Sequence, residues 1–172
     1  MILNWGFTSE EFLKSINDTK VELDYPLILV IKDAIWTSKE MVKLLDLIKP
    51  LNRPIVIFSE NLQNDPFSTL IYNIKRENCT GCAVNIPWMG DKEDDLLEDI
   101  SFVTSSTLVD NQNIKIENLS IDHFGSCKKI IIDVGSEDNT IYSVQQVVKD
   151  FHDMDKSSCS FRYAHNKKDG TL

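Results

Sequence analysis

Two cysteines three residues apart, Cys79 and Cys82, are the first residues of this chain whose types and spacing could do chemistry. A C-x-x-C pair can supply half of a zinc site, or it can be the redox couple of a thiol–disulfide enzyme built on one low-pKa thiolate. The element that carries the pair decides between these uses. The apolar run that follows, closed by Pro87, makes residues 79–86 read as a strand. In a strand, residues three apart point to opposite faces, which is a poor geometry for a disulfide or a shared metal. The two are therefore read as structural thiols, since a free cysteine behaves as a small buried hydrophobe. A thiol oxidoreductase using Cys79 and Cys82 stands as the alternative.

Other constellations carry less. His123, Cys127, Cys159 and His165 could supply four zinc ligands by type, but their spacing matches no common finger. The acidic run 91–95, broken by Lys92, lacks an EF-hand pattern and reads as a solvated helix start. The chain has no G-x-S-x-G and no Walker A glycine loop, hence no expected catalytic residue, cofactor or metal.

The 172 residues, 42% hydrophobic and 26% charged, fit a globular chain of one domain or slightly more that needs no staples. A net charge of −9 argues against nucleic acid and against an anionic membrane surface. No apolar run reaches the roughly 20 residues of a membrane span, and the start MILNWGFTSEE is not a signal peptide. The four cysteines read as reduced thiols.

The elements that position these residues alternate. Residues 27–31, 53–58, 79–86, 107–109 and 129–133 read as strands. Thr37 and Glu40 form a capping box for a helix that runs to about residue 47, before Pro50. Asp65 caps a second helix with Pro66 at its first position. Residues 91–104 form a third and residues 142–154 a last one, followed by a polar tail. Alternation of this kind implies an α/β domain.

The first two helices carry more apolar surface than a single buried stripe needs. Met41, Leu44, Leu45 and Ile48 form the stripe of the first, with Val42 and Leu47 to either side, an apolar arc roughly 220° wide where about 100° suffices. In the second, Phe67, Leu70, Ile71 and Ile74 form the stripe and Tyr72 lies far from it. Either the helices are sandwiched between layers, or they expose an apolar groove of the kind that takes peptides.

In order, these segments resemble the apical domain of a GroEL-type (group I) chaperonin over about residues 5–140. Gly6-Phe7-Thr8-Ser9-Glu10-Glu11-Phe12 is similar to the family's G-Y-x-S-P-Y-F. Val21-Glu22-Leu23 with Pro26-Leu27-Ile28-Leu29-Val30 is similar to V-E-L-x-x-P-x-I-L-L. Arg53-Pro54-Ile55-Val56-Ile57 with Ser59-Glu60-Asn61 is similar to K-P-L-L-I-I-A-E-D. Ser68-Thr69-Leu70-Ile71-Tyr72-Asn73 is similar to A-T-L-V-V-N, and Pro87-Trp88-Met89-Gly90-Asp91 to P-G-F-G-D.

The resemblance implies a swivelling β/β/α apical domain over residues 1–155, with 156–172 a polar tail or the start of a linker to the intermediate domain. It implies a non-enzymatic module that binds non-native polypeptides and the mobile loop of a ring-capping co-chaperonin. Carried over by position, the contacts fall on Phe7, Glu11, Phe12, Val42, Leu45, Phe67, Ile71 and Tyr72. The family's ATP and Mg sites belong to its equatorial domain, and no such motif occurs here. The expected parent is a homo-oligomeric, ATP-driven ring, and this chain alone a monomer. The expected location is the mitochondrial matrix or plastid stroma in a eukaryote and the cytoplasm in a bacterium.

The chain also departs from the pattern. Glu11 replaces an aromatic, Trp88 a glycine, Lys92-Glu93 a basic pair, and Ser105-Ser106 a Gly-Gly. A diverged relative that has lost substrate binding is the further alternative.

Overall fold

Leu27–Ile31 is a run of five apolar residues and 55–58 a run of four, and runs of this kind suit strands covered on both faces. In the computed structural model, which describes residues 2–3, 9–14, 18–32, 37–60, 62, 64–86, 91–110, 112–133 and 144–146, both runs are central strands. The elements in chain order are β1 (Ile2–Leu3), a 3-10 turn at Glu10–Phe12, β2 (Lys20–Asp24), β3 (Leu27–Ile31), α1 (Ser38–Ile48), β4 (Ile55–Ser59), α2 (Asn64–Lys75) and β5 (Gly81–Asn85). They continue with α3 (Asp91–Thr104), β6 (Leu108–Val109), 3-10 turns at Ile116–Asn118 and Ile121–His123, β7 (Gly125–Ser126), β8 (Lys129–Asp133) and β9 (Val144–Gln146).

The first sheet has the order β5-β4-β3-β6, all parallel, with β7 added antiparallel to β3. Every residue of β3 and β4 is buried, as expected of parallel strands covered on both faces. Crossovers between parallel strands are right-handed. The chain moves one way from β3 to β5 and back past β3 to β6, so α1 and α2 share one face and α3 takes the other. The packing agrees: α1 lies against α2, and α3 against β3, β6 and β7.

Local chemistry sets the helix ends. The Glu40 amide donates to Thr37 Oγ1 at 3.3 Å and the Thr37 amide donates to Glu40 Oε2 at 2.6 Å, which is the expected capping box. α2 begins two residues before the expected first position at Pro66, at Asn64, whose φ is 58°. Asn85 fastens the turn between β4 and α2. Its side-chain oxygen accepts from the Leu62 amide at 3.1 Å and from the Ser59 hydroxyl at 3.2 Å.

The second sheet is antiparallel, in the order β1-β9-β8-β2. Here the sequence reading is corrected. Val144–Gln146, expected inside a helix over 142–154, forms a strand between β8 and β1. Val144, Val147 and Val148 fit a helical period as well as a strand, and pairing with β8 overrides the local preference. The expected strand over 79–86 is shorter, so Cys79 precedes β5 instead of lying in it. The remainder of the expected last helix and the polar tail lie outside the described residues.

Candidate functional site

The two helices on one face of the parallel sheet settle which apolar residues are spent in the core. On α1, Met41, Leu44 and Ile48 are buried against the sheet and Leu45 is only 8% exposed. One flank of the helix carries Lys43, whose ammonium lies 3.8 Å from Glu117 at the turn Ile116–Asn118, with Ile116 buried beside it. Leu47 packs, partly buried, against the core. Val42 lies on the other flank, 45% exposed. The wide apolar arc of α1 therefore has one flank closed and one open.

α2 repeats the division. Leu70 and Ile71 are buried, Ile71 at 6%, while Tyr72 is 54% exposed. The Arg76 guanidinium sits over the Tyr72 ring, 4.6 Å from its centre. That stack holds the ring on the surface and leaves the guanidinium edge to solvent. Phe67 is half-buried and meets Phe12 edge to face, with ring centres 5.6 Å apart and planes at 85°. The turn that carries Phe12 is capped by Ser9, whose hydroxyl accepts from the Glu11 amide at 3.2 Å. Glu11 Oε2 lies 3.0 Å from Lys75 Nζ.

Of the eight residues singled out by sequence, the structure gathers seven on α1, α2 and the turn at Glu10–Phe12; Phe7 lies outside the described residues. Val42, Tyr72 and Glu11 face solvent, Phe67 is half-buried, and Phe12, Leu45 and Ile71 are in the core. Sequence reasoning missed Lys75 and Arg76. Their signal was spacing: each stands four residues beyond a singled-out position, Ile71 and Tyr72, on the same helical stripe.

The three described cysteines do not make a competing site; Cys159 and His165 lie outside the described residues. Cys79, Cys82 and Cys127 are free thiols. Burial raises the pKa of all three, most strongly for Cys82, which is completely enclosed. A redox or ligand thiol needs the opposite shift. Among the described residues, no three His, Cys, Asp or Glu side chains come close enough to hold a metal ion, and no helix is long and apolar enough to cross a membrane.

No protein-family model matches the chain. Individual proteins do. Over 142 residues, 82% of this chain, it is 34% identical to the mitochondrial chaperonin CPN60-2 of Cucurbita maxima and 32% identical to the mitochondrial chaperonin CPN60 of Arabidopsis thaliana. It is also 32% identical over 142 residues to chaperonin GroEL of Neorickettsia risticii, covering 81% of this chain and 25% of that one. The chain spans 24% of the length of the two mitochondrial relatives. Among solved structures, the chaperonin gp146 of bacteriophage EL 2 (Pseudomonas aeruginosa) aligns with 86% of this chain and 30% of its own, at a TM-score of 0.60 and 14% identity, a likeness of fold.

Proposed function

The chain belongs to the GroEL/CPN60 family of chaperonins, and from that premise we propose that it is the apical, polypeptide-binding part of such a protein. On this reading the antiparallel and parallel sheets with their helices form the swivelling apical fold, and the domain serves protein folding. The open flank of α1 and the outer face of α2 receive apolar segments of non-native polypeptides and the mobile loop of a ring-capping co-chaperonin. Ring assembly and ATP hydrolysis belong to other parts of the relatives' length and are proposed for the parent protein alone.

The exposure of Val42 and Tyr72 on helices whose other apolar residues are buried or partly buried carries this reading. A Val and a Tyr left half in water on adjacent helices each gain free energy when a second apolar surface covers them. Leu45, Phe67 and Ile71 support the surface from beneath.

Val42→Ser and Tyr72→Ser test it. Each should change stability by no more than about 0.5 kcal/mol, as substitutions at exposed positions do. Each should weaken binding of an apolar peptide about fivefold, the loss of about 1 kcal/mol of burial. Leu44→Ala, in the core, should instead cost about 2–5 kcal/mol of stability. If both serine variants bind the peptide as the wild type does, the surface is not a binding site and the chain is a relative that has lost substrate binding.

A further inference from the structure

We propose that the Glu11–Lys75 ion pair is a strap that holds the turn Glu10–Phe12 across Ile71 and sets how much of the apolar surface is offered to a polypeptide. The inference rests on the binding site proposed above and names what regulates it. Phe67, Ile71 and Lys75 are spaced four apart and so form one stripe along α2. The turn grips this stripe at both ends: Phe12 packs edge to face on Phe67, and the Glu11 carboxylate meets the Lys75 ammonium at 3.0 Å. Ile71 lies between the grips. Helical side chains lean toward the preceding turn, which directs Lys75 back toward the level of Ile71, and its ammonium meets Glu11 there. Ile71 itself is 6% exposed, at the edge of the buried stripe of α2.

The two grips differ in kind. The aromatic contact is closed and apolar, and Phe12 is buried. The ion pair is open to water, with its side chains 59% and 51% exposed, so it is weak and screened by salt. A carboxylate at position 11 therefore fastens the strap, where the aromatic of the resembled motif would add apolar surface. With the strap closed, the site consists of Val42, Tyr72 and Arg76. With it open, Phe12 and Ile71 join it.

Two measurements on the whole chain decide the matter. The first is hydrogen exchange of the Phe12 and Leu13 amides, which donate to the Ser9 and Glu10 carbonyls at 3.2 and 2.9 Å. The second is the affinity for an uncharged apolar peptide between about 0.05 and 0.5 M NaCl, a range that removes most screening distance. Glu11→Gln and Lys75→Gln should each speed exchange about two- to fivefold and tighten the peptide by a similar factor, the size of an exposed pair. Raising salt should do the same to the wild type and nothing to the Gln variants. Exchanging the charges, Glu11→Lys with Lys75→Glu, should restore the slow exchange and the salt dependence. Unchanged exchange in the single variants, or no restoration by the exchanged pair, overturns the proposal. Failure of the binding site itself is read separately: Val42→Ser would then leave peptide affinity unchanged, while the exchange rates still decide the strap.

Discussion

The C-x-x-C pair shows how little a motif says until its element is known. By spacing alone Cys79 and Cys82 suit a metal or a redox couple. What decides is that Cys82 is the second residue of a strand buried on both sides, while Cys79 stands half-exposed before it. Thiol chemistry follows from burial. At neutral pH Cys82 should not react with a thiol reagent in the native state, and Cys79 should react slowly; both should react at once in denaturant. Rapid native modification of either would return the thiol-enzyme alternative. Cys127 gives a further reading at alkaline pH. Burial lifts its pKa from 9.0 to about 11, against smaller lowering effects from the Lys129 amide and Arg53. A folded-state pKa above the unfolded value means that the native state holds its proton longer. The stability this contributes is complete below pH 9 and lost as pH rises through 11. Cys127→Ala should flatten that alkaline fall in the denaturation midpoint; an unchanged fall would assign it to other groups.

At the scale of elements, the helices were legible in the sequence because their signals are local. The capping box at Thr37 and Glu40 and the acidic head of α3 specify helix starts within four residues. The ends are less legible, because neither helix ends on glycine. In α2, the Glu77 amide donates to the Ile74 carbonyl at 2.9 Å and the Asn78 amide to the Asn73 carbonyl at 3.0 Å. In α3, the Ser105 amide donates to Phe102 at 3.3 Å and the Ser106 amide to Ser101 at 3.0 Å. Both are Schellman turns, and both place a residue with a Cβ in the left-handed region: Glu77 at φ 58° and Ser105 at φ 56°. Ser105 is the position where the resembled motif has glycine, so the turn kept its geometry and lost its preferred residue. Glu77→Gly and Ser105→Gly should each stabilise the protein by about 0.5–1 kcal/mol, the strain of a left-handed L-residue less the entropy glycine loses on folding. Thermal denaturation reads this directly, and a lower midpoint for both would mean that the left-handed residues carry no strain.

At the scale of the whole molecule, the parallel sheet was visible in the sequence, whereas of the antiparallel one only β8 was, read as a strand over 129–133. β3 is an uninterrupted apolar run and β4 is one up to Ser59, a pattern that suits strands buried on both faces. β2 alternates exposed and buried over only five residues, and β9 is three residues long with two glutamines. Their strand character comes from pairing with β8, which lies more than a hundred residues from β2 in the chain. Contacts of that range leave almost no local trace. The proposed binding surface was half legible for a related reason. Helical spacing found the surplus residues Val42 and Tyr72, but only packing could tell that Leu45 and Ile71 are enclosed.

The two sheets meet where the chain passes between them twice, at Tyr25–Pro26 from β2 to β3 and at Cys127–Lys128 from β7 to β8. The Tyr25 amide donates to the Lys128 carbonyl at 2.9 Å, so the two crossings lie side by side. Arg53, just before β4, binds both. Its Nε donates to the Tyr25 carbonyl at 2.9 Å, and one terminal nitrogen donates to the Pro26 carbonyl at 3.3 Å and to Ser126 Oγ at 2.5 Å. A guanidinium presents donors in a rigid fork that can hold several acceptors at once, whereas an ammonium on a flexible stem cannot hold the same set in place. Arg53→Ala should therefore cost about 1–3 kcal/mol, the range for losing charge-assisted bonds at a partly buried site. Arg53→Lys should recover no more than about half of it. The location of the damage matters more than its size. Hydrogen exchange should quicken first at Tyr25 and Leu27, at the seam, while the centre of β4 stays protected, because its parallel pairing with β3 and β5 does not involve Arg53. Uniform loss of protection across both sheets would show that they unfold as one unit and that the seam depends on the packed core more than on this side chain.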